Sequence, residues 1–224
     1  MAISITKILG ALLCSFSWIT AVTAIQPPSE AEEILDYWFG SLQAGAVYPM
    51  DKAKQWFAGG DNIDNDIRHR FEEQVIAATK HELDAWKETP RGRLALILLI
   101  DQFTRNIYRG TPKAFAYDSS AQELTLDGII QGHDQALLPI ERVFFYMPLE
   151  HSENRKKQEL SVQKFHAILP DVPREQVSYF LSFEEHAWRH YDIIEKFGRF
   201  PYRNAILNRE STSEEIKFLF PTKF

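Results

Sequence analysis

An all-α fold follows from three features of this sequence. Apolar residues recur at three- and four-residue spacing inside capped segments, strand-like alternation is absent, and the connections are short and marked by Pro or Gly. With 45% hydrophobic and 25% charged residues, the 224-residue chain can bury one sizeable core. The expected organisation is a signal peptide over residues 1–24 and a single all-helical domain over residues 25–224. That domain should be a compact array of about nine or ten helices.

The opening stretch MAISITKILGALLCSFSWITAVTA has the parts of a secretory signal: Lys7, an apolar run from Ile8 to Ile19, and small residues ending at Ala24. Cleavage after Ala24 is expected, giving an exported (periplasmic or secreted) protein with no stable membrane insertion. The alternative is an uncleaved membrane anchor, disfavoured because the greasy run is shorter than the roughly 20 residues that span a bilayer. Cleavage also removes Cys14, the chain's one cysteine, so the mature domain would have no disulfide, thiol nucleophile or Cys-ligated zinc.

The helices follow in order. PPSEAEEILDYWFG has Ser29 as N-cap, Glu32 three residues on, Ile34, Leu35, Trp38 and Phe39 on one face, and Gly40 as stop. Asp61 caps the next, with Ile63, Ile67, Phe71, Val75 and Ala78 at helical spacing. Thr89-Pro90 opens a helix ending near Gly110. DSSAQELTLDGIIQG and PIERVFFYM are shorter helices, the second interrupted by Pro148. SENRKKQELSVQKFHAIL comes next, then a long helix from Pro173 to Gly198. STSEEIKFLF closes the chain with a capping box of Ser211 and Glu214.

The helix after Pro90 carries the main clue to function. LALILLI, residues 94–100, is apolar on every side and so belongs in the core, yet it runs directly into Asp101, Arg105, Asn106 and Arg109. Four-residue spacing puts Asp101, Arg105 and Arg109 on one stripe and Gln102 and Asn106 on the next. Two guanidiniums and an amide around one carboxylate leave a surplus of donors, suited to a small anionic ligand or a peptide carboxylate. A second donor cluster, Arg199, Arg203, Asn204 and Arg209, stands in FGRFPYRNAILNR. The competing expectation is scaffold, with Asp101 paired to Arg105 and Arg109 capping carbonyls at the helix end.

The histidines offer different chemistry. Glu150, His151 and Glu153 fall in a Pro-started loop, and His186 and His190 stand four apart on one helix. HAWRH lacks the glutamate of a zinc-protease helix, and neither histidine ends a Glu-x-x-His pair, so no metal and no cofactor are expected. On that reading His186 sits on a solvated face and His190 bonds a neighbour. The aromatics Phe144, Phe145, Tyr179, Phe180, Phe183 and Trp188 read as core. A formal net charge of −6 with interspersed basic residues argues against a nucleic-acid partner. No nucleophile elbow, phosphate loop or dinucleotide fingerprint is present.

Three blocks, IDQFTRNIYRGTPKAFAYD, MPLEHSE and HYDIIEKFGRFPYRNAILNRESTSEE, together with ILDYWFG, resemble an uncharacterised bacterial family known as domain of unknown function 924. The resemblance implies an all-helical fold similar to the tetratricopeptide-like superfamily and no established activity. The chain departs from the pattern in its signal-like front and in Thr104, where proline is usual. No fixed-period repeat is visible. Three readings therefore stand: a binding module for an anionic group, a hydrolase using Asp101 or Glu150 with His151 or His190, and a buried polar network without ligand.

Overall fold

The computed structural model describes residues 26–40, 42, 48–57 and 59–221, so the expected signal segment at residues 1–24 lies outside the described residues. Among the described residues there are no strands, and none of the helices is long and apolar enough to cross a membrane. The α-helices are α1 (Ser29–Phe39), α2 (Met50–Phe57), α3 (Asp61–Thr79), α4 (Pro90–Ile97), α5 (Thr104–Ile107), α6 (Asp118–Ile130), α7 (Pro139–Glu150), α8 (Arg155–His166), α9 (Val177–Phe197) and α10 (Ser213–Leu219). A wide π-helical turn, Leu98–Phe103, joins α4 to α5, so the two form one rod and nine rods are seen.

That rod is the centre of the molecule, as its all-round apolar sequence requires. Leu94, Ala95, Ile97, Leu98 and Leu99 are wholly buried. α1, α6 and α7 pack on α4, while α3 packs on the π turn and on α5. α7, α8 and α9 make a second layer of successive neighbours. Thr89 begins α4 as foreseen, its hydroxyl accepting from the Gly92 N–H at 3.1 Å. α6 crosses α7 closely at Gly128, where an added Cβ would lie 2.5 Å from Phe145 and 2.6 Å from Arg93.

Several local expectations are corrected. Ser29 and Asp61 are first helical residues rather than caps, the cap positions falling on Pro28 and Gly60. The last capping box is Thr212 with Glu215, one residue on from Ser211 and Glu214. Pro148 does not interrupt α7. It sits in the last turn, where a missing N–H costs a single bond, and the helix carries on to Glu150. Glu150 and His151 therefore end a rigid helix instead of riding on a loop. Tyr179 and Trp188 of α9 are exposed, whereas Phe144, Phe145, Phe180 and Phe183 are buried. The helix α2 has no counterpart in the sequence reading.

Candidate functional site

The π turn explains how polar groups can end an apolar rod. A turn wider than α leaves carbonyls without their usual i+4 donors. Here the Thr104 hydroxyl donates to the Ile100 and Asp101 carbonyls at 2.9 and 3.2 Å, and an Arg105 N–H donates to the Asp101 carbonyl at 2.6 Å. Arg105 is thereby folded back over Asp101. Its guanidinium pairs with the Asp101 carboxylate at 2.9 Å and with Asp118, the first residue of α6, also at 2.9 Å.

His151, just past the end of α7, completes the group. Its Nδ1 lies 2.9 Å from Asp101 Oδ1. From the loop after α9, Arg203 donates to Asp118 at 3.2 Å and to the His151 carbonyl at 3.1 Å, with its plane over Phe115 and Phe200. The result is a balanced set, Asp101 and Asp118 against Arg105 and Arg203. The expected surplus of donors is therefore corrected: Asp118, which the sequence does not mark as a site residue, takes Arg105 and Arg203, and Asp64 takes the other donors.

The remaining arginines go elsewhere. α5 stops at Ile107 and the chain turns at Gly110, whose φ is +75°, so the four-residue spacing no longer holds at residue 109. Arg109 and Asn106 both bond Asp64 of α3, at 2.8 Å each. Arg199 pairs with Glu215 at 2.7 Å, Asn204 bonds Ser211 and Glu215, and Arg209 pairs with Glu153. Of the second cluster, Arg203 alone reaches Asp101's neighbourhood. Among the described residues Arg109 caps no carbonyl; Arg68 of α3 does so at Ile107.

On the other side of His151 the arrangement opens. A cleft of about 450 Å³ has Gln102, Arg105, Glu150, His151, His186 and His190 on its polar wall. Tyr48, Trp56, Phe57, Met147 and Phe183 form the apolar wall. The aromatic side is supplied largely by α2 and the residues before it, which sequence reasoning missed. Its signal was the pair Trp56-Phe57 at the end of a short amphipathic run. Glu150 is buried, with its carboxylate 2.6 Å from His190 and 3.7 Å from His186. Phe200 meets the His190 ring edge to face at 5.2 Å.

The electrostatics separate two roles. Burial alone would push Asp101 up, but Arg105, His151 and Gln102 hold its carboxyl well below the ordinary range, so it is an orienting anion and not a base. Burial and the nearby Arg105 push His151 down despite Asp101, leaving a neutral imidazole at neutral pH. Burial pushes Asp118 up against its two arginines. Glu150, which burial would raise, is held down at about 2 by the neighbouring imidazoles of His186 and His190.

This arrangement defines an all-helical protein with a half-apolar cleft and a buried acid–imidazole pair in its wall. Residues 34–222 match the model of a family described as "Bacterial protein of unknown function (DUF924)", and the chain belongs to that family. It is similar in structure to a protein of unknown function, ATU0120, from Agrobacterium tumefaciens. The two are 38% identical with a TM-score of 0.72, over 85% of this chain and 97% of the other. No curated protein matches the chain.

Proposed function

We propose that the chain is a hydrolase acting on a small molecule held in the cleft, with His151 as general base. The observation that carries this reading is the 2.9 Å contact from Asp101 to His151 Nδ1 in the wall of an open cleft. With Nδ1–H given to Asp101, Nε2 is the free basic nitrogen. It takes a proton from water as the oxygen adds to an acyl or phosphoryl centre, then returns it to the leaving group. Arg105, on the same wall, faces the negative charge that develops. The aromatic wall receives an apolar portion of the substrate.

Arg105's place on the wall favours a second reading, in which the cleft only binds a small carboxylate or phosphate. A panel of chromogenic esters, amides and phosphoesters, run beside a thermal-shift screen with small acids, separates them. Hydrolysis abolished by His151→Gln supports the enzyme. Thermal shifts without turnover leave a binding protein; about 2.7 kcal/mol is expected at a ligand concentration 100 times Kd. Neither turnover nor shift leaves the polar network as scaffold. Export rests on residues 1–24 and is proposed with it; an amino terminus at Ile25 in the mature protein is the expected mass-spectrometric result.

A further inference from the structure

Glu150 poses a charge problem that Asp101 does not. Its carboxylate is 7% exposed, and among the described residues no lysine or arginine pairs with it. The partners it has are imidazoles, which bring no formal charge when neutral. A buried anion needs a compensating cation close by.

We propose that Glu150, His186 and His190 bind a divalent transition-metal ion of the zinc class at the wall of the cleft. His186 and His190 stand one turn apart on α9, so both present ring nitrogens to the same side. Glu150 enters from the end of α7, and one donor atom from each residue lies within 4.8 Å of the other two. Bonds of about 2.0–2.1 Å in a tetrahedral site put ligand atoms about 3.3 Å apart. The observed Glu150 separations, 2.6 Å to His190 and 3.7 Å to His186, bracket that value. Small side-chain rotations of the exposed His186 and of Glu150 open one and close the other. Phe200 fixes the plane of the His190 ring.

Two imidazoles and one carboxylate are a nitrogen and oxygen set that suits zinc, manganese or ferrous iron better than calcium or magnesium. Three protein ligands leave a fourth position, which faces the cleft and is filled by water or by a ligand oxygen. The sequence offers these same residues but no recognised ligand motif, because the third donor comes from a different helix and spacing alone cannot join it to the histidine pair. The inference needs the cleft to be open but does not need it to be catalytic.

Protein stripped with a chelator is titrated with zinc by calorimetry and with cobalt by visible absorption. One equivalent per chain is expected, with the intense cobalt bands of a four-coordinate site. Glu150→Gln and His190→Ala should weaken binding on the order of a hundredfold, since even outer-shell losses cost tenfold to a hundredfold. His186→Ala, at a side chain 59% exposed, removes a ligand at little risk to folding and carries the test if the buried variants do not fold. His69→Ala and His166→Ala, away from the cleft, should leave affinity unchanged. Absence of stoichiometric binding, or binding lost in these two controls but kept in His186→Ala, overturns the site. Failure of the hydrolase reading shows instead as zinc binding without turnover.

Discussion

Asp101 and Glu150 are two buried carboxylates on either side of His151, and they are neutralised in opposite ways. Asp101 faces a guanidinium that is itself shared with Asp118 and backed by Arg203. Among the described residues, Glu150 faces imidazoles and an open cleft. The first is a closed account of fixed charges, which holds α5, α6, α7 and the loop after α9 together. The second has partners that can bind a metal. Where charges balance without a ligand, the set can hold the His151 imidazole in place; where they do not, a ligand has a reason to bind.

Breaking the closed side should give the largest effect. Arg105→Met strands the Asp101 carboxylate and is expected to cost about 3–5 kcal/mol in a urea melt at neutral pH. Adding Asp101→Leu should recover most of that loss. A melt unchanged by Arg105→Met would show that Asp101 does not need its guanidinium partner. Arg203→Met should cost less, about 1–3 kcal/mol, because Asp118 keeps Arg105 and one buried Arg203 nitrogen, Nε, has no partner to lose.

His151 links the two sides, and its titration sharpens the contrast. Its pKa is lowered in the folded chain, so the unfolded chain takes up the proton first and stability falls as pH drops below about 6.5. The slope in that window should reach at most about 1.4 kcal/mol per pH unit, and His151→Gln should flatten it. Asp101 and Glu150, both lowered on folding, add their own loss as pH falls below their ordinary values of 3.8 and 4.5. Turnover should rise through the lowered His151 pKa and then level off. The smallest effect on folding belongs to the open side. Phe57 is 56% exposed, so Phe57→Ala should change stability by about 0.5 kcal/mol or less, while raising KM or Kd for a cleft ligand.

The parts of this comparison that could be read from sequence are those that depend on local spacing. The buried rod at residues 94–100 and the Asp101–Arg105 pair follow from periodicity, and Thr89, Gly40 and Gly198 mark helix ends as their chemistry dictates. What escaped notice depends on partners distant along the chain. Asp118, which turns a donor surplus into a balance, is 13 residues from Arg105, and Asp64, which takes Arg109 and Asn106, is 45 and 42 residues away from them. Glu150 reaches His186 and His190 only because α7 lies against α9 and continues through Pro148. No periodic pattern reports such meetings.

The π turn at Leu98–Phe103 also sets the phase of everything beyond it. Relative to an α-helix it accommodates an extra residue, and one α-helical residue corresponds to about 100° of rotation. Were the same residues wound as an ordinary helix from α4 into α5, the downstream segment would be swung by roughly that angle. Arg105 would leave Asp118, and Ile107 would leave the face packed on α3. The irregularity is thus an indexing device: one surplus residue decides which side chains of a continuous rod look into the core and which look into the cleft.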